Sequence, residues 1–425
     1  MLRPSWDCRL YASRSGGLNV FPALELWGIN GASSRGSPVM RAEILTGDMR
    51  DILAGLEADR FHACVTDPPY GLGFMGAAWD REVLRPAYWR EVLRVLRPGA
   101  HLAAFAGTRT WHRMAVAIED AGFEIRDTLM WVYGQGLPKS LDVGKATAST
   151  EWNGWGTNLK PAWEPIILAR KSLSERSVAE NVLRWGTGAI NVNACRIPIV
   201  GRKGYWPGKA HVPSLGVTGF GRGTNPENEG GRWPANLAHD GSQMVLDLFS
   251  DTGDGYGVCG EAFSRNCYGG GQIGARPTSD QVVGHGDGGS AARFFYCAKA
   301  SPSDRDDGLA RLPGAAGGGR SEAAAESRGE GSRWPAKNPH PTVKPTALMA
   351  WLCRLLTPPG GEILDPFAGS GSTGRGAVLE GFGFVGIEID PDYASIARFR
   401  IQAAAERAAK SQKATKRPSG PEEAA

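Results

Sequence analysis

Two stretches of alternating strand-like and helix-like segments, one toward each end of the chain, most constrain the fold. Between residues 41 and 171, short apolar runs such as FHACVT (61–66) alternate with segments of helical spacing such as 88–96. The same alternation resumes after residue 338. Buried strands that alternate with helices indicate a mostly parallel sheet covered on both faces. The sequence therefore predicts an α/β protein with one sheet assembled from both ends of the chain.

The residues between these two stretches have a different texture. From Ser172 to Asn338 the chain is rich in Gly, Asn, Arg and Pro, and it is too long for an ordinary loop. We interpret residues 172–337 as an inserted region with irregular structure of its own, within which 314–333 resembles a flexible linker. Residues 1–40 lack a clear period and are predicted to be a disordered extension.

Overall charge does not indicate a partner. The 425 residues carry a formal net charge of +4, and 22% are charged, which is ordinary for a soluble protein. Between residues 398 and 417, however, seven Lys or Arg face a single acid, Glu406. We expect residues 401–425 to be a basic helical or disordered tail, which would suit a phosphate backbone or plain solvent equally well.

The cysteines and apolar runs exclude several classes of protein. Seven cysteines without a Cys-x-x-Cys pair argue against a zinc ribbon or a disulfide framework and favour a reducing, cytoplasmic setting. No run of 18 apolar residues and no signal-peptide pattern occur, so no contact with a membrane is predicted. Cys259, Cys267 and His285 are irregularly spaced, and no metal site is predicted.

A glycine-rich loop, DPFAGSGSTG (365–374), lies between a predicted strand and a predicted helix. Gly369, Gly371 and Gly374 match G-x-G-x-x-G, a pattern that lets a ligand lie against bare backbone. Glu388 ends the next predicted strand, where an acid can hold both hydroxyls of a ribose. The loop therefore predicts a cofactor with an adenosine-like half.

Two such cofactors compete, a nicotinamide or flavin dinucleotide and S-adenosyl-L-methionine. The first would place a pyrophosphate at the helix N-terminus. The second bears a carboxylate, an ammonium and a sulfonium. Asp365 stands at the strand tip before the glycines, where it would repel a pyrophosphate and attract the cationic methionine end. This carboxylate favours S-adenosyl-L-methionine.

The other distinctive motif is ACVTDPPY (63–70), an apolar run that ends in an acid, two prolines and an aromatic residue. Proline cannot donate to a strand ladder and fixes its own backbone angle, so the strand ends in a stiff corner at Pro68 and Pro69. This corner would hold Asp67 and Tyr70 in a fixed arrangement.

Together these motifs resemble those of the DNA amino-methyltransferases, which methylate adenine N6 or cytosine N4. The catalytic motif of that family is Asp/Asn/Ser-Pro-Pro-Tyr/Phe, and its cofactor loop contains Phe-x-Gly-x-Gly, here 367–371. The catalytic motif precedes the insertion and the cofactor loop, an order similar to that of the beta group. The resemblance covers 41–171 as the catalytic half and 338–400 as the cofactor half. It implies a circularly permuted, Rossmann-like methyltransferase fold with a mostly parallel seven-stranded sheet and an inserted target-recognition region.

The resemblance also implies roles for individual residues. Asp67 and the Pro68 carbonyl would accept hydrogen bonds from the target amine, and Tyr70 would stack on a base flipped out of the duplex. Asp48 would lie near the cofactor adenine, and Thr342 and Lys344 near its methionine end. The remaining cofactor contacts would come from Asp365, Phe367, Gly369, Gly371, Thr373 and Glu388.

The resemblance also indicates which substrate would be methylated. Asp67 favours adenine N6 over cytosine N4, and the motif order favours double-stranded DNA over RNA or protein glutamine. Cytosine carbon-5 methylation would need a cysteine nucleophile, and the chain contains no Pro-Cys dipeptide. A monomer and a homodimer are both compatible with the sequence, and no restriction endonuclease partner is identified.

Trp155 and Trp163 precede a predicted strand. We interpret them as core residues and not as the lining of a base pocket.

Overall fold

The computed structural model describes residues 41–73, 80–136, 138, 140–199, 231–251, 257–258, 282–283, 290–298, 302–309 and 338–415. The predicted extension 1–40, the linker 314–333 and the cysteines and histidine of the rejected metal site lie outside these residues. The described chain divides into two compact units. One unit contains the residues up to Trp131, Trp163–Asn191 and those from Ala298 onward, and the other contains Val132–Ala162 and Val192–Cys297.

The described residues form strands and helices whose bounds follow in chain order. The strands are β1 Ala42–Thr46, β2 Phe61–Thr66, β3 Leu96–Phe105, β4 Phe123–Val132, β5 Trp163–Lys171, β6 Leu237–His239, β7 Gly257–Val258, β8 Val282–Val283, β9 Tyr296–Cys297, β10 Glu362–Asp365 and β11 Gly383–Glu388. The helices are α1 Met49–Ala54, α2 Pro86–Val95, α3 Trp111–Asp120, α4 Val143–Thr147, α5 Val178–Trp185, α6 Gln243–Leu246, α7 Pro302–Asp306, α8 Thr346–Leu356, α9 Ser372–Leu379 and α10 Pro391–Thr415.

Seven of these strands follow one another across the sheet in the order β1-β11-β10-β2-β3-β5-β4. The pairs β1–β11, β11–β10, β10–β2 and β2–β3 are parallel, and β3–β5 is antiparallel. The two strands nearest the C-terminus thus lie between β1 and β2, which are nearest the N-terminus of the described chain. This order confirms the prediction of a mostly parallel α/β sheet built from both ends of the chain.

The second unit is built from shorter elements. Within it, β6 and β9 pair in parallel, and β7 and β8 form a two-stranded antiparallel sheet. Trp155 lies in this unit with 59% of its surface exposed, and it packs edge-to-face on Trp152 at a ring separation of 5.1 Å. The interpretation of Trp155 as a core residue is therefore wrong. Local sequence shows that the residue is aromatic but not whether other parts of the chain cover it.

The unit boundaries differ from the predicted 41–171, 172–337 and 338–400. Residues 172–191 belong to the first unit, where the buried Asn181 amide donates to the carbonyls of Pro98 and Thr187 at 2.9 and 2.8 Å. Residues 132–162, predicted in the catalytic half, belong to the second unit. Polar composition suggested an insertion from residue 172 onward, but buried hydrogen bonds hold this segment against β3.

Pro98 and Gly99, residue types that often mark a turn, lie within β3 in the structure. The chain passes directly from α2 into β3 at Leu96, and the pairing of β2 with β3 shifts register between Phe61 and Ala63. Gly99 has a φ of +80°, which a glycine adopts without strain. The local signals of a turn therefore mark an irregularity within a strand rather than its beginning.

Helices cover both faces of the sheet, and their packing depends on small residues. On one face, α1, α2 and α3 enclose a core that includes Trp89, Met114 and Ile118. On α9, a Cβ added at Gly376 would lie 2.6 Å from the backbone nitrogen of Ala350 on α8. The two helices can therefore approach this closely only because Gly376 has no side chain.

The last helix runs to the end of the described chain. It spans Pro391–Thr415, so the predicted tail 401–425 is helical as far as residue 415, and the remainder lies outside the described residues. Among the helices that the structure describes, none combines the length and apolarity needed to cross a membrane.

We expect Gly376→Val to destabilise the fold, because its side chain would collide with backbone atoms of α8 that cannot rotate away. Overpacking of this kind costs about 1–3 kcal/mol of unfolding free energy. Urea unfolding of the wild type and the variant measures the difference. Glu119→Val, on the exposed face of α3, is the matched control because it introduces the same side chain into a helix without the collision. Equal losses in the two variants would contradict the packing argument.

Candidate active site

The site lies where the parallel strands β2, β10 and β11 end. Neighbouring parallel strands place their carboxyl ends at the same edge of a sheet, which is the usual ligand-binding edge of α/β proteins. Thr66, the last residue of β2, donates a 2.6 Å hydrogen bond from its hydroxyl to the Asp365 carboxylate at the end of β10. This bond places residues Asp67–Tyr70, which we call the proline corner, directly beside the glycine loop.

Asp365 is buried, with 2% of its surface exposed, and its carboxylate is bonded to donors of the chain. Besides Thr66, it accepts hydrogen bonds from the Thr373 hydroxyl at 2.6 Å and from the backbone N–H of Phe367 at 3.1 Å. Burial raises the pKa of Asp365 to about 6, although these hydrogen bonds favour the ionised form. Asp365 and Thr373 therefore anchor the loop, and the predicted attraction of Asp365 for a methionine end stays a prediction.

The glycine loop brings bare backbone to this edge. Gly369 and Gly371 have φ values of +52° and +82°, and α9 begins at Ser372. A Cβ at Gly369 would lie 2.8 Å from Nε2 of His340, and one at Gly371 would lie 2.9 Å from the Cβ of Ala397. Both backbone angle and space therefore require glycine at these positions.

Glu388 lies next to this loop at the end of β11. Its carboxylate accepts hydrogen bonds from the backbone N–H groups of Gly369 at 2.7 Å and Asp390 at 2.9 Å. Burial raises the pKa of Glu388, and these two bonds oppose the shift. Asp48 follows the neighbouring strand β1, caps α1 and forms an ion pair with Arg50, which lowers the pKa of Asp48. Its predicted place near an adenine ring stays a prediction.

The proline corner carries a cluster of four polar side chains. Lys344 extends its ammonium to Asp67 Oδ2 at 2.9 Å, to Glu164 Oε2 at 3.0 Å and to the Tyr70 hydroxyl oxygen at 3.2 Å. Tyr70 in turn donates its hydroxyl to Asp67 Oδ1 at 2.6 Å. We call Asp67, Tyr70, Glu164 and Lys344 the acidic corner.

Contacts within the acidic corner shift the pKa values of Lys344 and Tyr70. Burial lowers the pKa of Lys344, but the carboxylates of Asp67 and Glu164 outweigh burial and raise it above its usual value. Burial and the same two carboxylates raise the pKa of Tyr70 well above its usual value. At neutral pH Lys344 is therefore charged and Tyr70 keeps its proton. Asp67 and Tyr70 were predicted to meet, whereas the contact of Lys344 with Asp67 was not.

Two residues of the site were missed by sequence analysis, Glu164 and His340. His340 packs edge-to-face on Tyr393 at 4.7 Å and fills the space beside Gly369. Burial, together with the positive charges of Arg400, Lys344 and Arg305, lowers the pKa of His340 to about 4. The signal available in the sequence was its place in NPHPTVKP, two residues before Thr342. Thr342 itself is exposed, and its backbone N–H donates to His340 Nδ1 at 3.4 Å.

The groups at this edge fit an adenosyl cofactor better than a metal ion. Two positive-φ glycines expose backbone beside a buried carboxylate at Glu388, which matches a ribose. In the part of the chain that the structure describes, no group of three or more His, Cys, Asp or Glu could hold a metal.

Comparison with known proteins identifies the family. The model of the N6/N4 DNA methylase family matches residues 61–199 and 315–399, together more than half of the chain. The chain belongs to this family. The match includes the proline corner, Glu164, Lys344 and the glycine loop.

Several proteins are similar to this DNA methylase over shorter segments. The type II methyltransferase M.HindIII of Haemophilus influenzae is 32% identical over 24% of this chain, M2.DpnII of Streptococcus pneumoniae 44% over 17%, and the DNA adenine methyltransferase YhdJ of Escherichia coli 43% over 15%. The matches span 37%, 26% and 22% of the length of these relatives, respectively.

Among solved structures, the M1.HpyAVI–SAM complex aligns over 85% of this methylase and 98% of its own chain, at 15% identity and a TM-score of 0.38. The cytosine-N4-specific PvuII DNA methyltransferase aligns over 87% and 93%, at 14% identity and a TM-score of 0.41.

We expect stability to fall between pH 6.5 and about 4, in part because of His340. The unfolded chain takes up a proton at its ordinary pKa of 6.5, whereas the folded chain does so only near 4. The folded state therefore loses up to about 3 kcal/mol across this window through His340 alone. Unfolding free energies of His340→Gln at both pH values should show a smaller fall than wild type. His112→Gln, at an exposed position of α3, is the control for the loss of a histidine elsewhere. An unchanged slope in His340→Gln would refute the assignment.

Proposed function

We propose that this chain is a site-specific DNA adenine-N6 methyltransferase that uses S-adenosyl-L-methionine. The observation that carries the proposal is the 2.6 Å hydrogen bond from Thr66 to Asp365. It holds the residue before Asp67 against the residue that opens the glycine loop. A carboxylate that can bind an amine and a loop that can bind a cofactor are thereby neighbours, as transfer between the two requires.

The chain's own groups would hold the cofactor at the glycine loop. The backbone at Gly369 and Gly371, with Phe367, would face the cofactor, and Glu388 would accept hydrogen bonds from the ribose hydroxyls. Asp48, Thr342 and Lys344 complete the proposed set. When bound, S-adenosyl-L-methionine supplies a methyl group on a positively charged sulfur, which becomes a neutral thioether on transfer.

The other half of the site would activate the amine. The lone pair of an exocyclic amine is delocalised into the base, so the nitrogen is a poor nucleophile. Asp67 and the Pro68 carbonyl would accept its two N–H hydrogen bonds and favour a pyramidal nitrogen. As the nitrogen bonds to the methyl group it becomes cationic, and the adjacent carboxylate stabilises that charge until the nitrogen releases one proton to water. No covalent enzyme intermediate is required.

The target base would be flipped out of the duplex and stacked on the ring of Tyr70. In the second unit, Trp233 is 66% exposed and the Arg196 guanidinium lies 5.4 Å from its ring centroid. Arginine and exposed aromatic side chains suit contacts with phosphates and bases. These features support double-stranded DNA as the partner. We separately propose that the protein acts in the cytoplasm.

Adenine is favoured over cytosine on two grounds. Asp67 occupies the first position of the catalytic motif, and the relative YhdJ is named as a DNA adenine methyltransferase. Cytosine N4 is the second candidate, because its exocyclic amine could form the same hydrogen bonds to Asp67. RNA and protein glutamine are disfavoured by the order of the two motifs along the chain.

The proposal is tested by expressing the chain in a host without DNA methylation and sequencing that DNA by a single-molecule method. We expect N6-methyladenine at one recurring sequence, with the modified nucleoside confirmed by mass spectrometry. If N4-methylcytosine is found instead, the target base is cytosine and not adenine. Unmodified DNA, with label from methyl-labelled cofactor found instead in RNA or protein, would refute the proposed function.

We expect Asp67→Ala to reduce methyl transfer by at least about 100-fold, because the amine loses its charged acceptor. Cofactor binding, measured by calorimetry, should persist because the glycine loop is unchanged. Asp51→Ala, an exposed position in the first turn of α1, is the control for loss of a carboxylate elsewhere. An active Asp67→Ala variant would exclude this residue from the reaction.

Glu388→Gln should weaken cofactor binding about 10- to 100-fold, since a neutral amide replaces a charged acceptor of hydrogen bonds. The dissociation constant of S-adenosyl-L-methionine is the quantity to measure. Glu362→Gln is a matched control, because Glu362 lies at the opposite end of β10 and pairs with Arg60 at 2.8 Å. Similar affinities for wild type and Glu388→Gln would mean that Glu388 does not hold the ribose.

A further inference from the structure

Glu164 is the second carboxylate of the acidic corner. It is the second residue of β5, and its side chain is 23% exposed. Its Oε2 lies 3.0 Å from Lys344 Nζ and 3.3 Å from the Tyr70 hydroxyl. Both contacts are made with residues that also contact Asp67.

The hydrogen bonds of the corner account for every proton of the ammonium. Lys344 has three N–H bonds, and three oxygen acceptors surround it, on Asp67, Glu164 and Tyr70. The Tyr70 hydroxyl then gives its own proton to Asp67. The ammonium also lies 4.9 Å from the ring centroid of Phe105, a contact that favours a cation. Lys344 is therefore fixed in one position between the two carboxylates.

The charges of the corner do not cancel. Two carboxylates and one ammonium leave one net negative charge. Without Glu164, Lys344 would neutralise Asp67, and the corner would carry no net charge. Removing Glu164 thus changes the electrostatics around Asp67, because the two carboxylates share Lys344 and Tyr70 as partners.

We propose that Glu164 is a positioning residue for methyl transfer: it fixes Lys344 between two carboxylates and keeps the corner at one net negative charge beside the nitrogen that becomes cationic. This inference rests on the proposed function. Glu164 acts through Lys344 and Asp67 and does not itself bind the amine. Oriented charges of this kind act on the transition state more than on the bound substrate.

The test is Glu164→Gln, which keeps an oxygen acceptor for Lys344 but removes the charge. We expect the single-turnover rate of methyl transfer to DNA to fall about 10- to 100-fold. The dissociation constants for S-adenosyl-L-methionine and DNA should stay within about twofold of wild type. Glu164→Asp, which restores the charge, should recover most of the rate. An unchanged rate in Glu164→Gln, or equal losses in rate and in both affinities, would overturn the proposal.

A matched control comes from Glu380, whose side chain is 19% exposed and pairs with Arg354. Its burial and ion pairing resemble those of Glu164, but it lies at the end of α9. We expect Glu380→Gln to leave the rate unchanged. A rate loss equal to that of Glu164→Gln would show that any lost ion pair has this effect and would overturn the proposal.

Combination with Lys344→Met shows whether Glu164 acts through the lysine. If it does, Glu164→Gln should reduce the rate much less in the Lys344→Met background than in the wild type, because the bridge is already absent. Independent effects that multiply would overturn the proposal. Wild-type activity on DNA is measured first: an inactive wild type would refute the proposed function, whereas an active wild type with an unaffected Glu164→Gln would refute only the role of Glu164.

Discussion

The hydrogen bond between Thr66 and Asp365 is the contact on which the site depends. It joins two strands that are far apart in the chain, and a third partner, Thr373, extends it into the first turn of α9. Because both carboxylate oxygens of Asp365 are held in this way, the glycine loop and the proline corner cannot shift independently. The cost of burying this carboxylate is visible in the raised pKa of Asp365.

A second arrangement of charges lies next to this bond, on the side of Asp67. Here two carboxylates stabilise one buried lysine, so the acidic corner has one net negative charge. The two arrangements have different consequences. Asp365 is bonded to neutral donors and fixes the backbone, whereas Asp67 is bonded to charged and polar side chains that can respond to an incoming amine.

Sequence alone predicted the elements that have strong local signals. The strand 61–66 has the predicted bounds, and the sheet assembled from both ends of the chain is confirmed. The two motifs that meet at the sheet edge were also recognised in advance. Each depends on short-range chemistry, such as the end of a strand at proline or a glycine turn before a helix.

What could not be predicted depends on long-range contacts. Tyr70 and Lys344 are 274 positions apart, and Tyr70 and Glu164 are 94 apart, so no local pattern could show that they share a cluster. His340 likewise acquires its role from Gly369 and Tyr393, which lie on other elements. The compact units also differ in their bounds from the predicted domains, because the buried amide of Asn181 holds residues 172–191 in the first unit and composition does not reveal such a contact.

A crystal structure with a DNA duplex that contains the recognised site, and with the demethylated cofactor product, would show directly whether Asp67 holds the target amine. We expect the flipped adenine to have its amino nitrogen about 3 Å from both Asp67 and the Pro68 carbonyl oxygen, and its ring stacked on Tyr70. The adenosyl group should lie along the glycine loop with its ribose at Glu388. A target base bound away from Asp67, or a cofactor bound elsewhere, would contradict the proposed mechanism.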